Sequence, residues 1–219
     1  MKKSIVIIGS SGLIGNEVLG LTLENSKIEH VTILVRKSLN INHPKLTEVI
    51  TNFKDLNEIE SRIIGDALIC CIGTTRKKTP NLEEYKNIDF GLTVEIAKIA
   101  KLNDVRQIHL ISAIGADPNS KIFYNRLKGE TEQALIKIDF PQTIIYRPSL
   151  LIGKRNEFRF GELIAQKLAP IFDVFLIGSL KKYHSISSNT IAKAVLNRIL
   201  SEGEKTEIME YNEIQLLNQ

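Results

Sequence analysis

Short runs of apolar, often β-branched residues alternate along this chain with longer stretches in which apolar residues recur every three or four positions. The runs are SIVIIG (4–9), HVTILV (30–35), LTEVI (46–50), DALICCI (66–72), QIHLIS (107–112) and QTIIY (142–146). Several are apolar at successive positions, as expected of strands covered on both faces in a parallel sheet. In 83–102, Tyr85, Ile88, Leu92, Ile96 and Ile99 fall on one helical stripe. Ile191, Ala192, Val195, Leu196, Ile199 and Leu200 repeat that pattern near the end. Alternating β and α elements predict right-handed crossovers and an α/β fold, a doubly wound parallel sheet with helices on both faces. No internal repeat or low-complexity linker interrupts the alternation, so a single domain over 1–219 is expected.

Composition narrows the class. At 219 residues the chain suits one well-cored domain, and 43% hydrophobic with 25% charged residues is a globular balance. The longest apolar runs are five to seven residues, far below a membrane span. MKKSIVIIGSSG starts like a secretion signal, but its apolar stretch ends at Gly9 and no cleavage-type region follows. The expected compartment is therefore cytoplasmic. The net charge of +4 is spread thinly, densest at RKK (76–78) and KK (181–182), without the aromatic interleaving of a nucleic-acid surface. Cys70 and Cys71 are neighbours in a strand and point to opposite faces, which suits core residues of a reduced protein rather than metal ligands. His30, His43, His109 and His184 show no ligand spacing, and no metal is assigned.

The segment IVIIGSSGLIGNEVL sets Gly9, Gly12 and Gly15 between the first strand and the first helix. In such a turn glycines permit the reversal, let backbone amides approach a pyrophosphate and let helix pack close to strand. The helix N-terminus adds free N–H groups and the positive end of its dipole. The spacing is G-x-x-G-x-x-G, not the G-x-G-x-x-G of the simplest dinucleotide fingerprint. The second strand ends at Arg36, beside Lys37, where an acidic residue would select NAD and an arginine neutralises a 2′-phosphate. NADP is thus the expected cofactor, with NAD an open alternative, and the fold is of Rossmann type.

YNRLK (124–128) then takes on meaning. Ser112 ends the strand QIHLIS, and Tyr124 follows twelve residues later, one helical turn before Lys128 on the same face. Ligands of such sheets bind beyond the carboxyl ends of the strands, which places Ser112 near the nicotinamide and Tyr124 within reach. Lys128 favours the phenolate electrostatically, and Ser112 can hold a substrate oxygen.

The glycine loop, a serine after the fifth strand and Y-x-x-x-K together resemble the short-chain dehydrogenase/reductase superfamily, nearly end to end. CCIGTTRKK (70–78), ISAIGADPNSKIFYNRLKGETE (111–132), YRPSLLIGKR (146–155) and YHSISSNTIAKAVLN (183–197) are similar to segments of its atypical, Tat-interacting-oxidoreductase-like branch. The resemblance implies that Gly9, Ser11, Gly12, Leu13, Ile14 and Gly15 line the pyrophosphate and that Arg36 and Lys37 meet the adenosine ribose phosphate. It places Asp55 and Leu56 near adenine, Cys71, Ile72 and Gly73 along the cofactor's middle, and Pro148 and Leu150 toward the nicotinamide. Two features depart from the pattern. Ser112–Ala113 stands where many relatives carry two serines, and Asn87 in YKNIDFG has its following glycine displaced by one position.

The expected activity is an NADP-dependent oxidoreductase moving hydride between nicotinamide and a small carbonyl or alcohol, with Ser112, Tyr124 and Lys128 as catalytic residues. One rival is a sugar-nucleotide epimerase or dehydratase, disfavoured because only 71 residues follow Pro148. The other is a dinucleotide-binding regulator that senses NADP/NADPH and contacts a protein. Residues 154–184, with Arg155 and Arg159, are expected to form a substrate-side lid. The expected partner is a small-molecule substrate, and a homodimer or protein partner is compatible with the chain. Neither nucleic acid nor membrane is expected.

Overall fold

Strands that are apolar on both faces need cover on both, and helices supply it here. The computed structural model describes residues 1–152, 176, 178–201, 203 and 205–218. Its strands are β1 (Lys3–Ile8), β2 (Ile28–Val35), β3 (Leu46–Ile50), β4 (Ala67–Cys70), β5 (Gln107–Ile111), β6 (Gln142–Tyr146), β7 (Leu151–Ile152), β8 (Ile186–Ser187) and β9 (Thr206–Met209). The helices are α1 (Leu13–Glu24), α2 (Leu82–Lys86), α3 (Thr93–Leu102), α4 (Phe123–Ile138), α5 (Ser188–Ile199) and α6 (Tyr211–Leu216). Seven strands form one parallel sheet in the order β3-β2-β1-β4-β5-β6-β9. This is the doubly wound Rossmann order, extended by one strand. Strand order reverses between β1 and β4, so the crevice for a ligand opens beyond Ile8 and Cys70.

The two-residue period of β1 divides the core. Ile5 and Ile7 pack with Val18 and Leu19 of α1 and Ile191 and Val195 of α5. Val6 and Ile8 face the other side, with Ile96 and Ala97 of α3 and Leu135 of α4. All eleven of these side chains are at least 99% buried. At the usual ~25 cal/mol per Å² of apolar surface, each contributes roughly 1.5–3 kcal/mol if large.

Three features go beyond the sequence pattern. The strands end slightly inside several predicted runs, so Cys71 and Ser112 lie one position past β4 and β5. Strand β9 was not expected, since its only buried side chain is Met209. It is held by its ladder with β6 and by Arg198, which reaches Glu207 from α5 with Nε at 3.0 Å. The helix over 83–102 is continuous but carries a π-helical turn, Asn87–Leu92, between α2 and α3. The extra residue turns the inward face, burying Asp89 and then Val94, Ile96, Ala97 and Ala100. Ile88, Leu92 and Ile99 of the expected stripe are left only half-buried. The expected lid falls largely outside the described residues, as do Arg155 and Arg159; its described end is a 3-10 turn, Gly178–Tyr183.

Candidate active site

The turn from β1 to α1 is shaped by contact with the end of β4. Gly9 has φ +83°, and a Cβ there would stand 2.5–2.7 Å from the backbone of Cys71 and Ile72. A Cβ at Gly15 would overlap the Gly9 carbonyl. These two glycines are therefore demanded by backbone crossing. Gly12 differs. It is exposed, its φ of −80° suits any residue, and it caps α1 with no side-chain hydrogen bond to the first turn. Uncapped amides behind an exposed glycine suit a pyrophosphate, and no acidic residue in that turn opposes one. Ser11 is exposed and Leu13 half-buried beside it, whereas Ile14 points into the core.

Arg36 and Lys37 follow β2 immediately, both exposed, at the carboxyl edge of the sheet. Arg36 forms no ion pair among the described residues. On the next loop, Asp55 accepts hydrogen bonds from the Asn57 amide (3.0 Å) and side chain (2.9 Å), and Leu56 packs on the core. Cys71, Ile72 and Gly73 run on from β4 past the glycine turn. Burial pushes the Cys71 thiol up to about 12, so it is neutral, and the neighbouring Cys70 is pushed higher still. Pro148 is buried and its carbonyl accepts from Ile114 (2.9 Å), tying the β5 and β6 loops together, while Leu150 is exposed.

Helix α4 carries Tyr124 and Lys128 on one stripe. Tyr124 is 40% exposed and Lys128 only 5%, with Nζ 5.9 Å from the Tyr124 ring centroid. Gly129 lets Asp117–Pro118 lie against this helix, and Asn125 accepts from the Asp117 amide at 3.0 Å. The loop leaving Ser112 is thereby folded back onto α4.

Two acidic residues under this site were not foreseen. Lys128 Nζ pairs with Asp89 Oδ2 at 3.4 Å, and Asp89 Oδ1 accepts from the Thr74 amide at 2.7 Å. Burial raises the Asp89 pKa, against the pull of Lys128 and the Thr74 hydrogen bond. Asn87, by contrast, is exposed. Ser112, itself 5% exposed, donates its hydroxyl to Glu132 Oε1. Arg147 holds that carboxylate through Nε (3.0 Å) and Nη2 (2.5 Å), and this pairing raises the arginine pKa. One signal in the sequence could have found Glu132: it follows Tyr124 and Lys128 at a further four-residue step, on the same stripe of α4. Asp89 had no such signal, because the π turn puts it inside.

A family model described as NAD(P)H-binding matches residues 9–167. The chain belongs to this NAD(P)H-binding family. Relatives include Protein HTATIP2 of Rattus norvegicus, 30% identical over 205 residues, spanning 92% of this chain and 83% of that one. Protein FMP52, mitochondrial, of Debaryomyces hansenii is 35% identical over 198 residues, 89% of this chain and 86% of its own. The resemblance to atypical short-chain dehydrogenase/reductases holds. Among solved structures, a UDP-N-acetylglucosamine 4-epimerase from Methanobrevibacter ruminantium M1 superposes with TM-score 0.72 over 100% of this chain and 81% of that one, at 17% identity. MoeE5 in complex with UDP-glucose and NAD gives 0.70 over 96% and 79%, at 12% identity. At such identities the likeness is one of fold, the Rossmann sheet of this NAD(P)H-binding family.

The expectation of a cytoplasmic protein is overturned. Several FMP52 relatives are mitochondrial by name. Mitochondrial addresses are amphipathic and basic and carry no long apolar run, so an apolar stretch that ends at Gly9 does not select the cytoplasm. Among the described residues no helix is long and apolar enough to cross a membrane.

Proposed function

We propose that the chain is an NADP(H)-dependent oxidoreductase acting on a small carbonyl or alcohol substrate. The observation that carries this reading is the α4 stripe at the mouth of the crevice, where an accessible Tyr124 stands one turn before a buried, charge-paired Lys128. The dinucleotide, when bound, supplies or takes up a hydride at its nicotinamide ring. The Gly9–Gly15 turn and the α1 amides hold its pyrophosphate. Arg36, aided by Lys37, neutralises the 2′-phosphate that distinguishes NADP from NAD. Asp55 and Leu56 flank the adenine, and Cys71, Ile72, Gly73, Pro148 and Leu150 line the path to the reacting end. Tyr124 gives its proton to the substrate oxygen in reduction and takes it back in oxidation. Lys128 stabilises the phenolate left behind and holds the nicotinamide ribose. Ser112 must turn its hydroxyl away from Glu132 to donate to a carbonyl oxygen; left on Glu132, its oxygen can accept from a substrate hydroxyl.

That same hydrogen bond favours a second reading, a cofactor-sensing regulator without turnover, since the Ser112 proton is already taken. Oxidation of NADPH over a broad aldehyde and ketone panel separates the two. An active parent whose Tyr124→Phe variant loses about 10²–10⁴-fold in turnover, with dinucleotide binding intact, supports the reductase. A Phe variant at full rate refutes the role of Tyr124, and an inert parent that binds NADPH tightly favours the regulator.

A further inference from the structure

Asp89 is an acid at a buried position of a helix whose neighbours are apolar, and burial of a carboxylate is costly unless a partner meets it. Here it meets two. Oδ2 lies 3.4 Å from Lys128 Nζ, in a pair whose side chains are 1% and 6% exposed, and Oδ1 accepts from the Thr74 amide at 2.7 Å. One turn earlier Tyr85 donates its hydroxyl to the Thr74 carbonyl at 3.1 Å, so both sides of that residue are held by the same helix. The Thr74 and Thr79 hydroxyls, 2.8 Å apart, close the loop that follows. A Cβ on Gly73 would stand 3.6 Å from Asp89 Oδ2, so the buried carboxylate lies directly behind the segment that follows β4. The π turn is what brings it there.

The other titratable groups facing Lys128 are the thiols of Cys70 and Cys71 from β4 and the phenol of Tyr124 on α4. Glu132, a turn further along α4, is engaged by Ser112 and Arg147. Burial keeps both thiols neutral near neutral pH, the Cys71 thiol up to about 12. Asp89 is therefore the counter-charge of Lys128 among the described residues.

We propose that Asp89 is a positioning residue for Lys128, fixing its ammonium group charged at the edge of the crevice and linking it through Thr74 to the loop after β4. The inference rests on the reading that Lys128 touches the bound dinucleotide. The test is NADPH affinity against pH, by calorimetry, in the parent, Asp89→Asn, Lys128→Met and the double variant. A buried ammonium stripped of its partner gives up its proton more readily, so Asp89→Asn should bind progressively more weakly with rising pH, by about tenfold between about pH 6.5 and about pH 9, where the parent stays flat. In the Lys128→Met background the Asp89→Asn change should add no pH dependence. If Lys128→Met is weakened while Asp89→Asn follows the parent's flat profile, the proposal is overturned and the role of Lys128 stands. If Lys128→Met binds NADPH like the parent, the underlying reading fails instead and takes the proposal with it. Should Asp89→Asn be insoluble, the double variant should fold, because the orphaned cation is gone. A double variant equally unable to fold would show that Asp89 serves the loop alone and would overturn the proposal.

Discussion

Ser112 and Glu132, twenty residues apart, are joined by a buried hydrogen bond in which the serine hydroxyl donates to the carboxylate that Arg147 grips with two nitrogens. Glu132 is 3% exposed, so removing Arg147 would strand its charge in the interior. Arg147→Met should destabilise the fold by about 3 kcal/mol, at the low end for a broken buried pair because the arginine keeps some contact with solvent. The double variant Glu132→Gln/Arg147→Met should regain most of that loss. Urea midpoints of the single and double variants check both statements.

Arg36 stands exposed and unpaired among the described residues at the end of β2, free to meet a phosphate. NADPH should bind more tightly than NADH by about 10- to 150-fold, the worth of a charge-assisted hydrogen bond of roughly 1.5–3 kcal/mol. Arg36→Ala should erase that preference and leave NADH affinity unchanged. Equal affinities of the parent for the two cofactors would remove the assignment.

The glycines of the turn should respond differently to substitution. Gly12→Val keeps an ordinary backbone conformation and should fold, yet its branched side chain blocks approach of the pyrophosphate, so NADPH binding should be lost. Gly9→Ala combines a φ of +83° with a Cβ driven into the Cys71 and Ile72 backbone, so it should unfold the protein or displace β4. Thermal melts and cofactor titration of the two variants provide the comparison.

His109 lies fully buried in β5, with Nδ1 3.0 Å from the Tyr146 hydroxyl, and burial lowers its pKa from 6.5 to about 3. The folded protein thus holds the imidazole neutral where the unfolded chain would protonate it. The associated stability is complete above pH 6.5 and is lost progressively as pH falls toward about 3. The slope approaches about 1.4 kcal/mol per pH unit. His109→Gln can still pair with Tyr146 but cannot titrate. Its urea midpoint should therefore fall less steeply than the parent's as the pH is lowered below 6.5.

What the sequence determined by itself is what depends on near neighbours. Two-residue alternation in IVII divided β1 between two core layers, and four-residue steps put Tyr124 and Lys128 on one face of α4. A glycine turn between strand and helix can be recognised because strand, turn and helix are contiguous. The exposed Arg36 is legible for the same reason, as the first residue past a strand end.

Tertiary structure decided the partners. Asp89 looked like one polar residue on an amphipathic helix until a π turn rotated it inward, and its lysine lies 39 positions away. Glu132 shares the Tyr124–Lys128 stripe in sequence, but its partners are decided only when the β5 and β6 ends bring Ser112 and Arg147 to it. Strand β9 has a single inward side chain and exists because β6 offers it a ladder and Arg198 an ion pair. Periodicity is set within a turn or two of chain. The buried charge pairs and the edge strand draw their stability from groups far apart in sequence, which only the folded backbone brings within hydrogen-bonding distance.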